Sequence, residues 1–383
     1  MTTQEKLGQY FTTSIILKET VYNFIENSPE TILEPCVGQG DLVTFIKEQN
    51  PYISFDMYEI DDKIPLLDGI NKEDINYTDF LKEKITKKYT TIVCNPPYVK
   101  TKKGNLYLDF IKKCCELLEY DGEMVFIVPS NIFKLTSASK LLNDMMIHGT
   151  FTHIFHANDE NMFENASIDV IIFRYCKNDV IPKRVLYNDT LLYVINSDGM
   201  VTFMEEENEN NIIFKDYFDI FVGFVSGKES VYKNEELGTM PVLNCENKVD
   251  KYICISQFPC SVPAINEHLL KHKEELISRQ IRNFNESNWF EWGAMRNVSG
   301  ILQHYGKDCI YLYNLTRSSK VAFIDKVQYF GGSLIMLVPK RECDLSRIVS
   351  YLNSNTFKDN FMFSGRFKIG HRGISNSYIP KEF

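Results

Sequence analysis

The sequence predicts a doubly wound α/β domain over residues 1–210, followed by a mixed α/β domain of low symmetry over residues 211–383. Three observations carry this. Up to about residue 175, short β-branched runs alternate with runs of helical period, the pattern of a parallel sheet with helices on its faces. Beyond residue 179 that alternation stops, and residues 205–211 form an acidic, polar stretch suited to an exposed junction. The length, 383 residues with 44% hydrophobic side chains, suffices for two cores.

In the first domain, strands are expected at residues 31–33, 54–58, 91–94, 124–128, 152–155 and 170–175. Residues 15–25 and 106–118 place apolar side chains at i, i+3, i+4 spacing, with Leu106, Phe110, Cys114 and Leu117 on one stripe, so they read as helices packing one face down. A further helix is expected over 42–49. The second domain is rich in Tyr, Phe, Asn and Ser. Its clearest elements are strands at 311–313 and 334–338 and helices at 267–276 and 345–353. No internal repeat or low-complexity tract is present in the sequence.

Composition narrows the classes. No stretch approaches the roughly 18 uninterrupted apolar residues of a membrane span, and residues 1–6 lack the apolar core of a secretory leader. A soluble, cytoplasmic protein with no membrane partner is expected. The ten cysteines are scattered, without a Cys-x-x-Cys spacing near His, so they read as reduced thiols and no metal site is expected. The net charge of −9 is unevenly spread: residues 211–383 carry 22 Lys+Arg against 18 Asp+Glu, leaving 20 against 33 for residues 1–210. The second domain is therefore the part electrically suited to a phosphate backbone.

Four segments of the first domain carry chemistry. The strongest is the apolar run into Asn95-Pro96-Pro97-Tyr98. Two prolines end the strand and hold the backbone rigid at the carboxyl edge of the sheet, where doubly wound folds bind ligands. The Asn95 side-chain oxygen and the Pro96 carbonyl can accept from one amino group, and Tyr98 offers a flat face. A delocalised ring amine is a poor nucleophile, and accepting both its N–H bonds favours the pyramidal nitrogen that attacks an electrophilic methyl; such catalysis is positional and electrostatic. The second segment, Glu34-Pro35-Cys36-Val37-Gly38-Gln39-Gly40, is a glycine turn between strand and helix, and its acid suits an ammonium-bearing ligand better than a pyrophosphate. Third, Glu59 and Asp61 stand at the next strand end, where a carboxylate takes ribose hydroxyls, and Glu59 is the nearer of the two to that end. Fourth, Asp79 can accept from an adenine amine while Phe80 packs on the ring.

In that order, and with Leu7-Gly8-Gln9-Tyr10-Phe11-Thr12 ahead of them, these segments resemble the γ group of N6-adenine DNA methyltransferases of restriction–modification systems. The resemblance covers the first domain. It implies a Rossmann-like methyltransferase domain that uses S-adenosylmethionine, with a mixed α/β target-recognition domain behind it. Thr12 and the backbone of Glu34, Pro35, Cys36 and Val37 are implied to contact the methionine part of the cofactor, Glu59 its ribose, Asp79 and Phe80 its adenine, and Pro97 the surroundings. Asn95, Pro96 and Tyr98 are implied to be catalytic. A second aromatic is expected against a flipped adenine from the segment after the last strand; Tyr187, Tyr193 and Phe203 lie there, and Tyr193 is the preferred candidate.

The resemblance also implies double-stranded DNA as partner, with no obligatory protein partner and a monomeric state. In the second domain, residues 363–373 combine cations, aromatics and glycines as a phosphate-tracking loop would, which singles out Arg366, Lys368 and Arg372. Arg279, Arg282, Arg296 and Arg317 are further candidates for base or phosphate contacts, and Trp289 and Trp292 are expected to be packing residues. Two rival readings remain: the same Asn-Pro-Pro-Tyr corner serves methyltransferases of RNA bases or protein glutamine, and a catalytically silent DNA-specificity subunit could keep this fold.

Overall fold

The computed structural model describes residues 8–101, 104–163, 167–206 and 212–380; Leu7 of the N-terminal motif and residues 207–211 of the junction lie outside them. The chain divides into two compact units, Met1–Glu209 with Met362–Gly365, and Asn210–Phe361 with Arg366–Phe383.

The first unit is built on one ten-stranded sheet. Its strands are β1 (Thr31–Glu34), β2 (Ser54–Glu59), β3 (Ile75–Tyr77), β4 (Tyr89–Cys94), β5 (Leu118–Pro129), β6 (Thr150–His156), β7 (Val170–Cys176), β8 (Arg184–Tyr187), β9 (Thr190–Ser197) and β10 (Met200–Met204). They lie in the order β10-β9-β8-β6-β7-β5-β4-β1-β2-β3. The run from β3 to β5 is parallel, and β7 slots antiparallel between β5 and β6. Because β1 pairs with β2 on one side and β4 on the other, the chain reverses its winding direction between β1 and β4, and a crevice opens beyond their carboxyl ends.

Side chains alternate across β4. Ile92 and Cys94 join the core that takes Phe110, Ile111 and Cys114 of helix α3 (Leu106–Leu117), while Val93 joins the opposite core with Leu17 and Val21 of α1 (Ile15–Asn23) and Leu42 and Ile46 of α2 (Asp41–Gln49). Both faces are thus buried, which is why these strands read as continuous apolar runs rather than as alternating ones.

Strands β8 to β10 have no counterpart among the expected elements. On β8 and β9 only Val185, Val194 and Ser197 are buried, while β10 is buried throughout, and the polar residues Arg184 and Thr190 interrupt the apolar signal. The cue lies in the turns: Asn188-Asp189 and Asp198-Gly199 have φ of 42° and 66°, and of 50° and 70°, the two-residue hairpin geometry that Asn, Asp and Gly favour.

The second unit centres on a four-stranded antiparallel sheet, in which β11 (Phe218–Val222), β14 (Asp308–Tyr313), β15 (Ala322–Lys326) and β16 (Leu334–Pro339) lie in the order β11-β16-β14-β15. A separate ribbon pairs β12 (Met240–Cys245) with β13 (Lys248–Tyr252). The helix expected at 267–276 is two helices, Pro263–Lys271 and Lys273–Ile277. Pro263 starts the first early, its fixed φ suiting the opening turn, and the His272 N–H ends it by bonding Leu269 O at 3.1 Å. Trp289 and Trp292 are buried in the core, and the Trp292 indole donates to Ile253 O at 2.8 Å. Among the described residues no helix is long and apolar enough to cross a membrane.

Candidate active site

The crevice beyond β1, β2 and β4 is a cleft enclosing about 1030 Å³, open mouth included. It gathers Thr12, Glu34, Pro35, Cys36, Val37, Glu59, Asp79, Phe80, Asn95 and Pro97 from five separate segments; Pro96 and Tyr98 stand behind this lining. Glu34, Asp41, Glu59 and Asp79 are the acidic residues among the described lining residues, which include no Lys, Arg or His. Such a lining favours a ligand that is cationic and rich in hydroxyl and amine donors, and repels phosphates.

The floor follows from the turn after β1. Gly38 and Gly40 sit at φ +57° and +97°, and a Cβ on Gly40 would meet Ile70 Cγ1 at 2.6 Å, so this turn needs glycine for both conformation and space. Glu59 stitches the turn to β2: its Oε2 accepts from Gly38 N at 2.9 Å, and Oε1 from Ile60 N at 2.8 Å and Asp61 N at 3.0 Å. One carboxylate oxygen therefore keeps lone-pair capacity for a ligand hydroxyl. Glu34 is buried with its Oε1 accepting from Cys36 N at 3.2 Å, and burial pushes its carboxyl up to about 8.

Cys36 donates to Asn95 O at 3.3 Å, with its sulfur 3.3 Å from that of Cys94. Glu34, Cys36 and Cys94 each bring one donor atom within 4.8 Å of the others, a spacing that a metal ion could use. Burial holds the Cys36 thiol up at about 11 and Cys94 well above its usual range, so in this state both are neutral thiols on the cleft floor.

At the far wall, Asp79 Oδ1 accepts from Leu81 N at 3.1 Å, and Oδ2 pairs with exposed Lys82 at 2.6 Å. Phe80 is buried, stacked on Phe110 with centroids 5.7 Å apart. Lys113 lies 4.5 Å from the Phe80 ring centroid and donates to the carbonyls of Phe80 and, at 2.7 Å, Glu83, clasping this wall to α3.

The reactive corner is held from the N-terminal segment. Asn95 Nδ2 donates to Tyr10 O at 2.7 Å and to the hydroxyl of buried Thr12 at 3.0 Å. Two acceptors fix the amide nitrogen and leave Oδ1 as the acceptor of this side chain. Gly8, at φ +64°, lies so close that a Cβ would meet Val99 Cγ2 at 2.5 Å, and its carbonyl accepts from Tyr98 N at 3.3 Å. The Tyr98 hydroxyl donates to Asn95 Oδ1 at 2.7 Å and Ile127 O at 3.0 Å. Its ring is not bare: Tyr10 stacks on it at 5.4 Å, and Phe163 stands edge-on at 6.2 Å. Sequence reasoning includes Tyr10 in the Leu7–Thr12 motif without a role of its own, and misses Phe163. The Tyr10 carbonyl contact carries no residue-type signal, and Phe163 lies in a segment without periodicity.

Some expected residues fall elsewhere. Tyr193 is on β9, five strands across from β4, which at about 4.8 Å per strand is roughly 24 Å away. Its ring carries the Arg184 guanidinium at 4.4 Å, so it is a surface pair on the far side of the sheet and not a base-stacking residue of this cleft. Arg279 is buried and donates to the carbonyls of Leu276, Ser226, Trp289 and Glu291, with Phe284 3.8 Å beneath it. With its donors used inside the second unit, Arg279 is a structural residue and leaves the set of DNA candidates. Arg282 is partly committed, to Glu291 at 2.6 Å and Trp292 O at 2.9 Å. Arg296, Arg317 and Lys368 are exposed, and Arg366 and Arg372 half-buried. Residues 363–373 are not an open loop: short strands Met362–Phe363 and Arg366–Lys368 flank a turn at Ser364 and Gly365 with φ of 50° and 68°, and helix His371–Ser375 follows.

Residues 40–163 match the family model described as Eco57I restriction-modification methylase. The chain is 27% identical over 226 residues to the type II methyltransferase M.HincII of Haemophilus influenzae, covering 53% of this chain and 42% of that protein. It is 32% identical over 150 residues to the modification methylase CviBIII of Paramecium bursaria Chlorella virus NC1A, covering 34% and 39% respectively. The chain thus spans about two-fifths of the length of these curated relatives. Among solved structures, the Type IIL restriction-modification enzyme MmeI in complex with DNA has a TM-score of 0.59 at 10% identity, covering 97% of this chain and 64% of that one, a likeness of fold. The first unit has the α/β, Rossmann-like fold of methyltransferases, and its sequence is similar to those of restriction–modification systems.

Proposed function

We propose that this chain transfers the methyl group of S-adenosylmethionine to the exocyclic N6 amine of an adenine flipped out of a short duplex DNA site, protecting that site from a cognate endonuclease. The observation that carries the reading is the orientation of Asn95. With its amide nitrogen bound to Tyr10 O and Thr12, its oxygen is left as the acceptor of the side chain. Oδ1 already receives the Tyr98 hydroxyl, but a carbonyl oxygen has two lone pairs and can take a substrate N–H as well. The Pro96 carbonyl supplies the second acceptor. A bound S-adenosylmethionine would contribute an electrophilic methyl on a sulfonium centre.

The cleft suits that cofactor on its donor set. Glu34 faces the place for an ammonium group, Glu59 keeps an oxygen for a ribose hydroxyl, and Asp79 with Phe80 forms a wall for adenine. Thr12 belongs with Asn95, as the group that fixes its amide. For the extruded base we place Tyr10 and Phe163 beside Tyr98; the base reaches the Tyr98 face by displacing the Tyr10 ring, a stacking contact of about 1–3 kcal/mol. The second unit, with its positive balance, reads the target. The decisive test is incubation with labelled cofactor and genomic DNA followed by mapping of modified bases. N6-methyladenine in one short sequence supports the proposal, whereas label in RNA or protein rejects it.

Two further outcomes are expected. Below pH 8 burial holds Glu34 protonated, and a cation entering the cleft favours its carboxylate, so cofactor binding releases a proton. Affinity should rise about tenfold per pH unit from pH 6 towards 8 and then level off. Calorimetry at pH 7 in buffers of different ionisation enthalpy reads that proton, and buffer-independent heats would rule it out. On the DNA side, the logarithm of affinity should fall linearly with the logarithm of salt concentration. Replacing Arg366, Lys368 and Arg372 with alanine should flatten that slope, by about 0.9 for each phosphate that is no longer neutralised. An unchanged slope would place the phosphate-binding surface elsewhere, with Arg296 and Arg317 next to be tested.

A further inference from the structure

We propose that Cys36 and Cys94 are a reversible oxidation site, and that a disulfide between them shuts the cofactor cleft. This rests on reading the cleft as the S-adenosylmethionine site. The two residues are 58 apart in sequence but sit at the carboxyl ends of neighbouring parallel strands, since Leu33 is in register with Ile92. Their sulfurs lie 3.3 Å apart, and both thiols are free. A disulfide bond is about 2.05 Å long, so the sulfurs need approach by only a little over about 1 Å. Cys36 is half-buried and lines the cleft, which gives a small oxidant access, while Cys94 is fully buried directly beneath.

The chemistry balances with a diazene oxidant such as diamide. The Cys36 sulfur adds across the N=N bond. The Cys94 sulfur then attacks the Cys36 sulfur, forming the S–S bond and expelling the hydrazine, which carries the two hydrogens the thiols have lost. A low-molecular-weight disulfide would do the same by two exchanges and leave as two thiols. Burial keeps both thiols neutral, so the first step is slow and should accelerate about tenfold per pH unit below the Cys36 value of about 11. Once formed, the bridge removes the Cys36 bond to the Asn95 carbonyl and ties the floor at residues 35–37 to the residue that precedes Asn95. The same movement disturbs the seat of the cofactor and the reactive corner.

The test treats the full chain with diamide, with and without S-adenosylhomocysteine, then maps thiols by mass spectrometry and measures S-adenosylhomocysteine affinity by calorimetry. The expected result is a Cys36–Cys94 peptide lighter by two hydrogens, affinity weakened at least tenfold, recovery with dithiothreitol, and protection by prior S-adenosylhomocysteine. Cys94→Ala, or Cys36→Ala should the first not fold, should make affinity insensitive to diamide relative to the same untreated variant. Other cysteines oxidising while 36 and 94 stay free, or a 36–94 bridge without loss of affinity, would overturn the proposal. The bridge is scored by mass alone, so reduced protein that bound no S-adenosylhomocysteine would count against the cofactor reading, separately from the bridge.

Discussion

Asn95→Ala is expected to slow methyl transfer by about 10²–10³-fold, the usual effect of removing one preorganised polar group from a reacting centre. The substitution deletes the amide oxygen, the acceptor assigned to the adenine amine. It also leaves Tyr10 O and Thr12 Oγ1 without their donor, so the N-terminal segment over the corner loosens. Cofactor affinity should change only a few-fold, because the ammonium and ribose positions are set by Glu34 and Glu59 on other strands. Thr12→Val separates the two effects. It keeps the acceptor but removes the hydroxyl that orients it, so the rate constant for transfer should fall while KM for the cofactor holds, and Thr12→Ser should restore the rate. Single-turnover kinetics with labelled cofactor reads both variants, and near-normal transfer by Asn95→Ala would remove Asn95 from the mechanism.

What could be read in advance divides along physical lines. Four of the five strands of the parallel run, β1, β2, β4 and β5, and three helices beside them were legible, because burial on both faces writes unbroken apolar runs and a period of 3.6 is hard to mistake, whereas the three-residue β3 and the helix Ser139–His148 were not expected. Glu34, Glu59, Asp79 and Asn95 were legible for a related reason: each ends a strand or opens a turn, and parallel strands deliver their ends to one edge. Tyr193 fails where that logic stops. Its position along the chain is compatible with the cleft, but the order of strands, which no local pattern encodes, sets it five strands away from the one that leads into Asn95. Arg279 fails differently, since a buried arginine bonded to four carbonyls and an exposed one ready for phosphate are the same letter in the sequence. Of the three hydrogen bonds that orient Asn95, the one to the Tyr10 main-chain carbonyl is invisible to any reading by residue type.

The largest stability effect should come from the opposite edge of the same sheet. Glu123 of β5 is fully buried beside Thr91, near the start of β4 and about four residues or roughly 13 Å along the strand from Asn95. Its carboxylate accepts from Glu26 N at 3.1 Å, Asn27 N at 3.0 Å, Thr91 Oγ1 at 3.0 Å and Arg174 Nε at 2.7 Å. Arg174, itself buried, bonds Thr152 at 2.8 Å and reaches half-exposed Glu26 at 2.8 Å. Glu123→Ala leaves a buried guanidinium with one solvent-facing partner, together with three donors that no longer have an acceptor. Breaking such a pair from one side costs about 3–5 kcal/mol, a large part of the roughly 5–15 kcal/mol that holds a domain together. Glu123→Gln keeps an acceptor oxygen for some of these donors and should cost distinctly less. Urea unfolding measures the order, and equal midpoints for wild type and Glu123→Ala would contradict it. Because no atom of this network lines the cleft, the fraction of Glu123→Ala that remains folded should bind cofactor as the wild type does. A sheet whose carboxyl edge holds the chemistry can thus be weakened at its amino edge without changing the reaction.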